Sequence, residues 1–170
     1  RLVLLGMKPD GPEPEYGYIL TRGRPTSGST RAVAREVFKF IEKPAPVLGR
    51  KIVRSGGLWN TMVIVFKART LLGMVAELAP LLYRSFAQIL AAVGTPAAND
   101  TIHDVYTHLQ PVNFSRGLLE SLSAQRPCPV LVLPVHGVYW SDWGSEERIV
   151  TVLKKGGCLA RLGGSYTKWL

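Results

Sequence analysis

Apolar residues fall along the chain in two kinds of run, short strand-like ones and longer ones with helical spacing. RLVLLG (residues 1–6) is a short apolar run closed by the turn-rich KPDGPEPE, which predicts a buried strand and a loop. YGYIL (16–20) predicts a second strand, and TRGRPTSGST (21–30) a mobile polar loop. VAREVFKFIEKP (33–44) carries Val37, Phe38, Lys39, Phe40 and Ile41 and stops at Pro44, a third strand with Glu42 and Lys43 at its exit. Residues 45–56 read as a link bounded by Pro and Gly. Met62–Phe66 is uninterrupted in its apolarity, the pattern of a strand in a sheet covered on both faces.

The middle of the chain changes period. Leu71, Leu72, Val75, Leu78, Ala79 and Leu82 recur at helical spacing, broken or kinked at Pro80. Leu81–Val93 predicts a second helix that ends at Gly94. Two shorter helices are expected over Asn99–Gln110 and Phe114–Ala124, the latter capped by Asn113. VLVLPV (130–135) is another buried strand, followed by the aromatic turn HGVYWSDWGS. Ser145 caps a last helix to Lys155, with Glu146 and Glu147 in the first turn, where the helix dipole favours them. Strands alternating with helices predict an α/β fold with a mainly parallel, mixed sheet flanked by helices.

Composition narrows the class. The chain has 170 residues, 46% hydrophobic and 19% charged, which suits a globular domain and excludes a disordered polypeptide. No apolar run reaches the roughly 18 residues a membrane-spanning helix needs, so no membrane partner is expected. The first residues lack the small-residue cleavage site of a signal peptide. Cys128 and Cys158 have no metal-ligand spacing and read as reduced thiols of a cytoplasmic protein. The net charge of +9 is concentrated: residues 1–69 hold 13 Lys/Arg against 5 Asp/Glu, a local +8. That excess suits an anionic partner, a phosphate-bearing small molecule or nucleic acid, or a solvated cationic surface. No nucleic-acid motif accompanies it, so nucleic acid is not expected as a partner.

Polar groups gather at strand ends, where open α/β sheets bind ligands. Gly17 has no Cβ and lets a ligand approach its backbone, or else serves a strained turn. Glu42 can accept from sugar hydroxyls and Lys43 can hold a phosphate, although an exposed Glu–Lys pair is more often a solvated surface feature. Asn60, just before the apolar run, both donates and accepts, which suits neighbouring hydroxyls as well as it suits tying down a loop. Asp142 is a lone carboxylate between Trp140 and Trp143 that calls for a cation; Mg²⁺ is held by one or two carboxylates plus substrate phosphates. Its bland role would be a helix cap, which Ser145 already supplies. No Walker loop, G-x-G-x-x-G or G-x-S-x-G motif is present, and no His clusters with carboxylates, so nucleophilic catalysis has no support.

Taken in order, EYGYI (15–19), VFKFIEKP (37–44), LWNTMVIVF (58–66) and YWSDWGSEERIVTVL (139–153) resemble the sugar-1-phosphate nucleotidyltransferases, bacterial mannose-1-phosphate guanylyltransferases above all. That family carries a GYGYI-like segment, V-x-x-F-x-E-K-P, a W-N-S-G-like strand start and a W-S-D-x-G turn. The resemblance implies a nucleotide-diphospho-sugar transferase (Rossmann-like) fold. It implies a reaction in which a sugar 1-phosphate attacks the α-phosphate of a nucleoside triphosphate, GTP by this likeness, and releases pyrophosphate. It also implies roles: Gly17 contacts the sugar through its backbone, Glu42, Asn60 and Thr61 bind hydroxyls, Lys43 binds the sugar phosphate, and Asp142 is one of two aspartates on Mg²⁺. Thr61-Met62 stands where the family has Ser-Gly. The family's Gly-rich, Arg-containing signature loop has no counterpart in residues 1–170. The expectation is therefore an acceptor-side part of a catalytic domain, lacking the nucleotide subsite, inactive alone and able to self-associate through exposed strand edges.

Overall fold

The computed structural model describes residues 1–22 and 33–158, so most of the predicted 21–30 loop lies outside the described residues. The chain divides into two compact units, residues 1–136 and 137–170.

The first unit is built on five strands, β1 (Leu2–Met7), β2 (Gly17–Thr21), β3 (Arg35–Glu42), β4 (Leu58–Val65) and β5 (Val130–Val135). They pair in the order β1-β4-β2-β3-β5, and β5 returns to β1 to close a barrel. Among the described residues only the β1–β5 pairing is parallel; β1–β4, β2–β3, β2–β4 and β3–β5 are antiparallel. The sheet is mixed as expected, but a closed, mainly antiparallel barrel corrects the expectation of a mainly parallel, Rossmann-like one. A parallel pair needs a crossover between its strands, and alternation of strands and helices suggests one after another. Here four helices fall in one excursion between β4 and β5: α2 (Ala68–Leu78), α3 (Pro80–Ala92), α4 (Ala98–His108) and the short α5 (Ser121–Ala124). Just ahead of α5, Ser115–Glu120 is wound as a π-helical turn.

One further helix, α1 (Pro46–Arg54), occupies the segment read from sequence as a link. Its prolines mislead: Pro46 is at the helix start, where its missing N–H would have no partner in any case. Elsewhere the local signals hold. Pro80 opens α3, and Asn113 Oδ1 accepts from the Arg116 N–H at 2.9 Å.

The core lies between the strands and the segment after α4. Leu2, Leu4, Ile19, Phe40, Leu58, Val130 and Val132 meet Leu118, Leu119 and Leu122, with partly buried Leu71, Met74 and Val75 of α2 packed against them. Burying such side chains contributes about 1.5–3 kcal/mol each. Two bulges interrupt the alternation. Between Leu20↔Lys39 and Thr21↔Val37, β3 has one extra residue, which turns Phe38 outward. Between Leu4↔Ile64 and Gly6↔Asn60, three residues of β4 oppose one of β1. In and beyond this second bulge the apolar run is not covered on both faces as expected: Met62, Val63, Val65 and Phe66 are all exposed.

The second unit's described part holds the WSDWG turn and α6 (Glu146–Lys155), whose cap Ser145 accepts from the Arg148 N–H. Among the described residues no helix is long and apolar enough to cross a membrane.

Candidate functional site

Three of the residues singled out from sequence come together at one end of the barrel. Gly17 of β2 is the register partner of Glu42 of β3, and a Cβ built on Gly17 would lie 2.7 Å from Glu42 Oε2 and 3.4 Å from the Asn60 Cβ. Partner residues of antiparallel strands point to the same side, so glycine here lets the Glu42 carboxylate and the Phe40 ring, 2.9 Å from the same point, close down on the strand beside Asn60. Any larger residue would displace them.

Each member is held by backbone chemistry. The Glu42 N–H donates to Glu120 Oε1 at 2.8 Å, and the Phe40 N–H to the buried Ser123 hydroxyl at 3.0 Å. The π-helical turn and α5 thus take the hydrogen bonds along one edge of β3. Asn60 is buried; its Oδ1 accepts from the Met62 N–H at 3.2 Å and its Nδ2 faces the Met62 Sδ at 2.9 Å. Ser115 Oγ, from the π-helical turn, reaches the same sulfur at 3.7 Å. Met62 is in the left-handed region, φ 58°. That is costly for a side chain with a Cβ, and it is the position the family pattern fills with glycine.

Lys43 follows Glu42 with φ 47°, a second left-handed non-glycine residue. Its N–H donates to the Tyr16 carbonyl at 3.2 Å and its ammonium to Glu15 Oε2 at 2.8 Å. The bond to Glu15 and that residue's charge raise the Lys43 pKa above the ordinary lysine value; Glu42 adds to the effect, while burial and the Arg116 guanidinium oppose it.

The Thr61 hydroxyl is engaged in the bulge: it donates to the Leu5 carbonyl at 2.8 Å and accepts from the Val63 N–H at 3.2 Å. Trp59 is paired with Tyr18 and Met7, one residue from Asn60 and so on the opposite face. Its buried ring meets Tyr16 edge-on, centroids 5.0 Å apart.

Asp142 belongs to the second unit. Its Oδ1 accepts from the Gly144 N–H at 2.9 Å and lies 3.1 Å from Arg148 Nε. A Cβ on Gly144 would fall 2.6 Å from the Arg148 guanidinium and 2.7 Å from Oδ2, so this glycine lets the arginine close on the carboxylate. Among the described residues no group of three His, Cys, Asp or Glu gathers as a metal cage.

The roles of Glu15, Ser115, Glu120 and Ser123 escape a reading of the sequence. They come from contacts across the fold, although Glu15 opens the EYGYI segment and Met62, whose sulfur two of these contacts meet, stands inside LWNTMVIVF.

No family model matches the chain. Among curated proteins it is 32% identical over 146 residues to a mannose-1-phosphate guanylyltransferase of Escherichia coli K12, covering 85% of this chain and 29% of the relative. It is 37% identical over 94 residues to one of Salmonella typhimurium, covering 55% and 19%. A solved Thermus thermophilus structure described as a mannose-1-phosphate geranyltransferase aligns with TM-score 0.60 and 27% identity, over 78% of this chain and 34% of that one. A Helicobacter pylori mannose-6-phosphate isomerase structure, at 20% identity and TM-score 0.60, shares the fold. The chain spans between 17% and 32% of the length of the curated relatives it matches.

Proposed function

We propose that the chain, similar to the mannose-1-phosphate guanylyltransferases over most of its length, forms the sugar-phosphate-binding part of an enzyme that transfers a nucleotidyl group from GTP to mannose 1-phosphate. One observation carries this reading: Gly17, Glu42 and Asn60 lie against one another at one end of the barrel, and Lys43 follows Glu42 directly. The carboxylate accepts from sugar hydroxyls, the amide both donates and accepts, the Gly17 backbone carries no side chain beside them, and the ammonium holds the phosphate. Thr61 acts through the bulge that presents Asn60.

In this scheme the sugar phosphate's own oxygen attacks the α-phosphate of the triphosphate and pyrophosphate leaves. The chain's residues bind and orient the acceptor and offset charge, which is how such transfers are accelerated. No protein nucleophile is required. Mg²⁺ belongs to the proposal through Asp142: one carboxylate suits an ion that takes its other ligands from substrate phosphates and water, and that carboxylate would have to exchange the Arg148 guanidinium for the ion. When bound, Mg²⁺ would neutralise charge on the triphosphate. Two free cysteines, Cys128 and Cys158, accord with a cytoplasmic location.

Titration of the protein with mannose 1-phosphate in a calorimeter tests the reading. Glu42→Gln and Asn60→Ala are each expected to weaken binding about tenfold, the loss of one charged or buried hydrogen-bonding group. Equal affinity in wild type and both variants overturns it. A second reading, binding without catalysis, is favoured by the short span of the relatives that the chain covers. Guanylyl transfer assayed with GTP, Mg²⁺ and mannose 1-phosphate separates the two.

A further inference from the structure

The Lys43 ammonium, offered above to a phosphate, already has an anion on it: Glu15 Oε2 at 2.8 Å. The contact is built into the fold at both ends. The fully buried Tyr18 hydroxyl donates to the Glu13 carbonyl at 3.0 Å and accepts from the Glu13 N–H at 2.7 Å, pinning the chain two residues before Glu15. One residue after it, the Tyr16 carbonyl accepts from the Lys43 N–H. Pro14 and Pro44 flank the pair and restrict both backbones. Glu15 is thus presented to Lys43 and does not merely drift near it.

We propose that Glu15 is an internal competitor for the phosphomonoester at Lys43, a specificity-determining residue that sets how far the site prefers phosphorylated over neutral sugars. The inference rests on the sugar-phosphate reading of the site. A dianionic phosphate brings twice the charge of the carboxylate to Lys43, so it displaces Glu15, which swings into the solvent it already half faces. The exchange costs the incoming phosphate what the ion pair was worth. For an exposed pair that is a factor of about two to five in affinity. A neutral sugar, held by Glu42 and Asn60, leaves the pair intact and bears no such cost.

Calorimetry on the full chain with mannose 1-phosphate, inorganic phosphate and mannose, in wild type, Glu15→Gln and Glu15→Ala, tests this. Both variants are expected to bind the two phosphate ligands about two- to fivefold more tightly, with mannose unchanged. Adding Lys43→Ala to Glu15→Gln should abolish the gain. Wild type binding mannose 1-phosphate with an affinity that neither variant alters overturns the inference and leaves the functional reading standing. Tightening of inorganic phosphate alone also overturns it, because the anion site would then not be the sugar-phosphate site. Absence of mannose 1-phosphate binding in wild type and variants alike sinks the functional reading itself.

Discussion

A side-chain carbon at position 17 would stand 2.7 Å from the Glu42 carboxylate and 2.9 Å from the Phe40 ring. Gly17→Ala therefore forces Glu42 and Phe40 to give way. The variant is expected to lose about 1–3 kcal/mol of stability by overpacking and to bind mannose 1-phosphate at least about tenfold more weakly. Thermal melts and calorimetry read the two effects. Glu42→Ala in the same chain should recover part of the stability and none of the binding.

Met62 is in a conformation that glycine adopts freely. Met62→Gly should raise stability by about 1 kcal/mol through release of left-handed strain, about 2–4 °C in Tm. It also removes the thioether from the Asn60 amide. A lower Tm would mean that the sulfur contacts outweigh the backbone strain.

Thr61 donates to Leu5, whose carbonyl falls in the bulge between β1 and β4. Thr61→Val leaves that acceptor without the hydroxyl and should cost about 1–3 kcal/mol, whereas Thr61→Ser should cost under about 1 kcal/mol. Urea denaturation distinguishes them. Equal stability of the two variants would remove the hydroxyl from the account of the bulge.

Lys43 has a raised pKa, with its hydrogen bond to Glu15 the largest cause. A cation whose folded pKa exceeds its unfolded value of 10.5 keeps its full contribution below that value and loses it as pH rises through the folded one. Binding of mannose 1-phosphate through Lys43 should accordingly stay level from about pH 7 to about pH 9 and fall only above the ordinary lysine range. A decline centred near neutrality, measured with the phosphate fully ionised, would assign the binding to another group.

Much of the local structure is legible along the chain. Asn113 and Ser145 cap where their short polar side chains stand ahead of apolar or acidic turns, and VLVLPV forms β5. These outcomes depend on neighbours within a few residues, which a linear reading contains. The α1 segment is the exception: Pro44, Pro46 and Gly49 look like a link until Gly49 is packed near the Tyr18 hydroxyl.

By itself the sequence determined most of the short segments that become strands and helices, the caps at Asn113 and Ser145, and which residues carry acid, base and amide chemistry. Those are properties of side-chain type and spacing. Only the tertiary structure decided that the strands close antiparallel with a single parallel seam, that Gly17 lets Glu42 and Asn60 come together, and that Glu15 occupies the Lys43 ammonium. The reason is physical: register, bulges and ion pairs join residues far apart in the chain, for example 28 positions for Glu15 and Lys43, 56 for Leu5 and Thr61 and 83 for Phe40 and Ser123. The free energy that selects them comes from packing of the whole barrel, not from any segment alone.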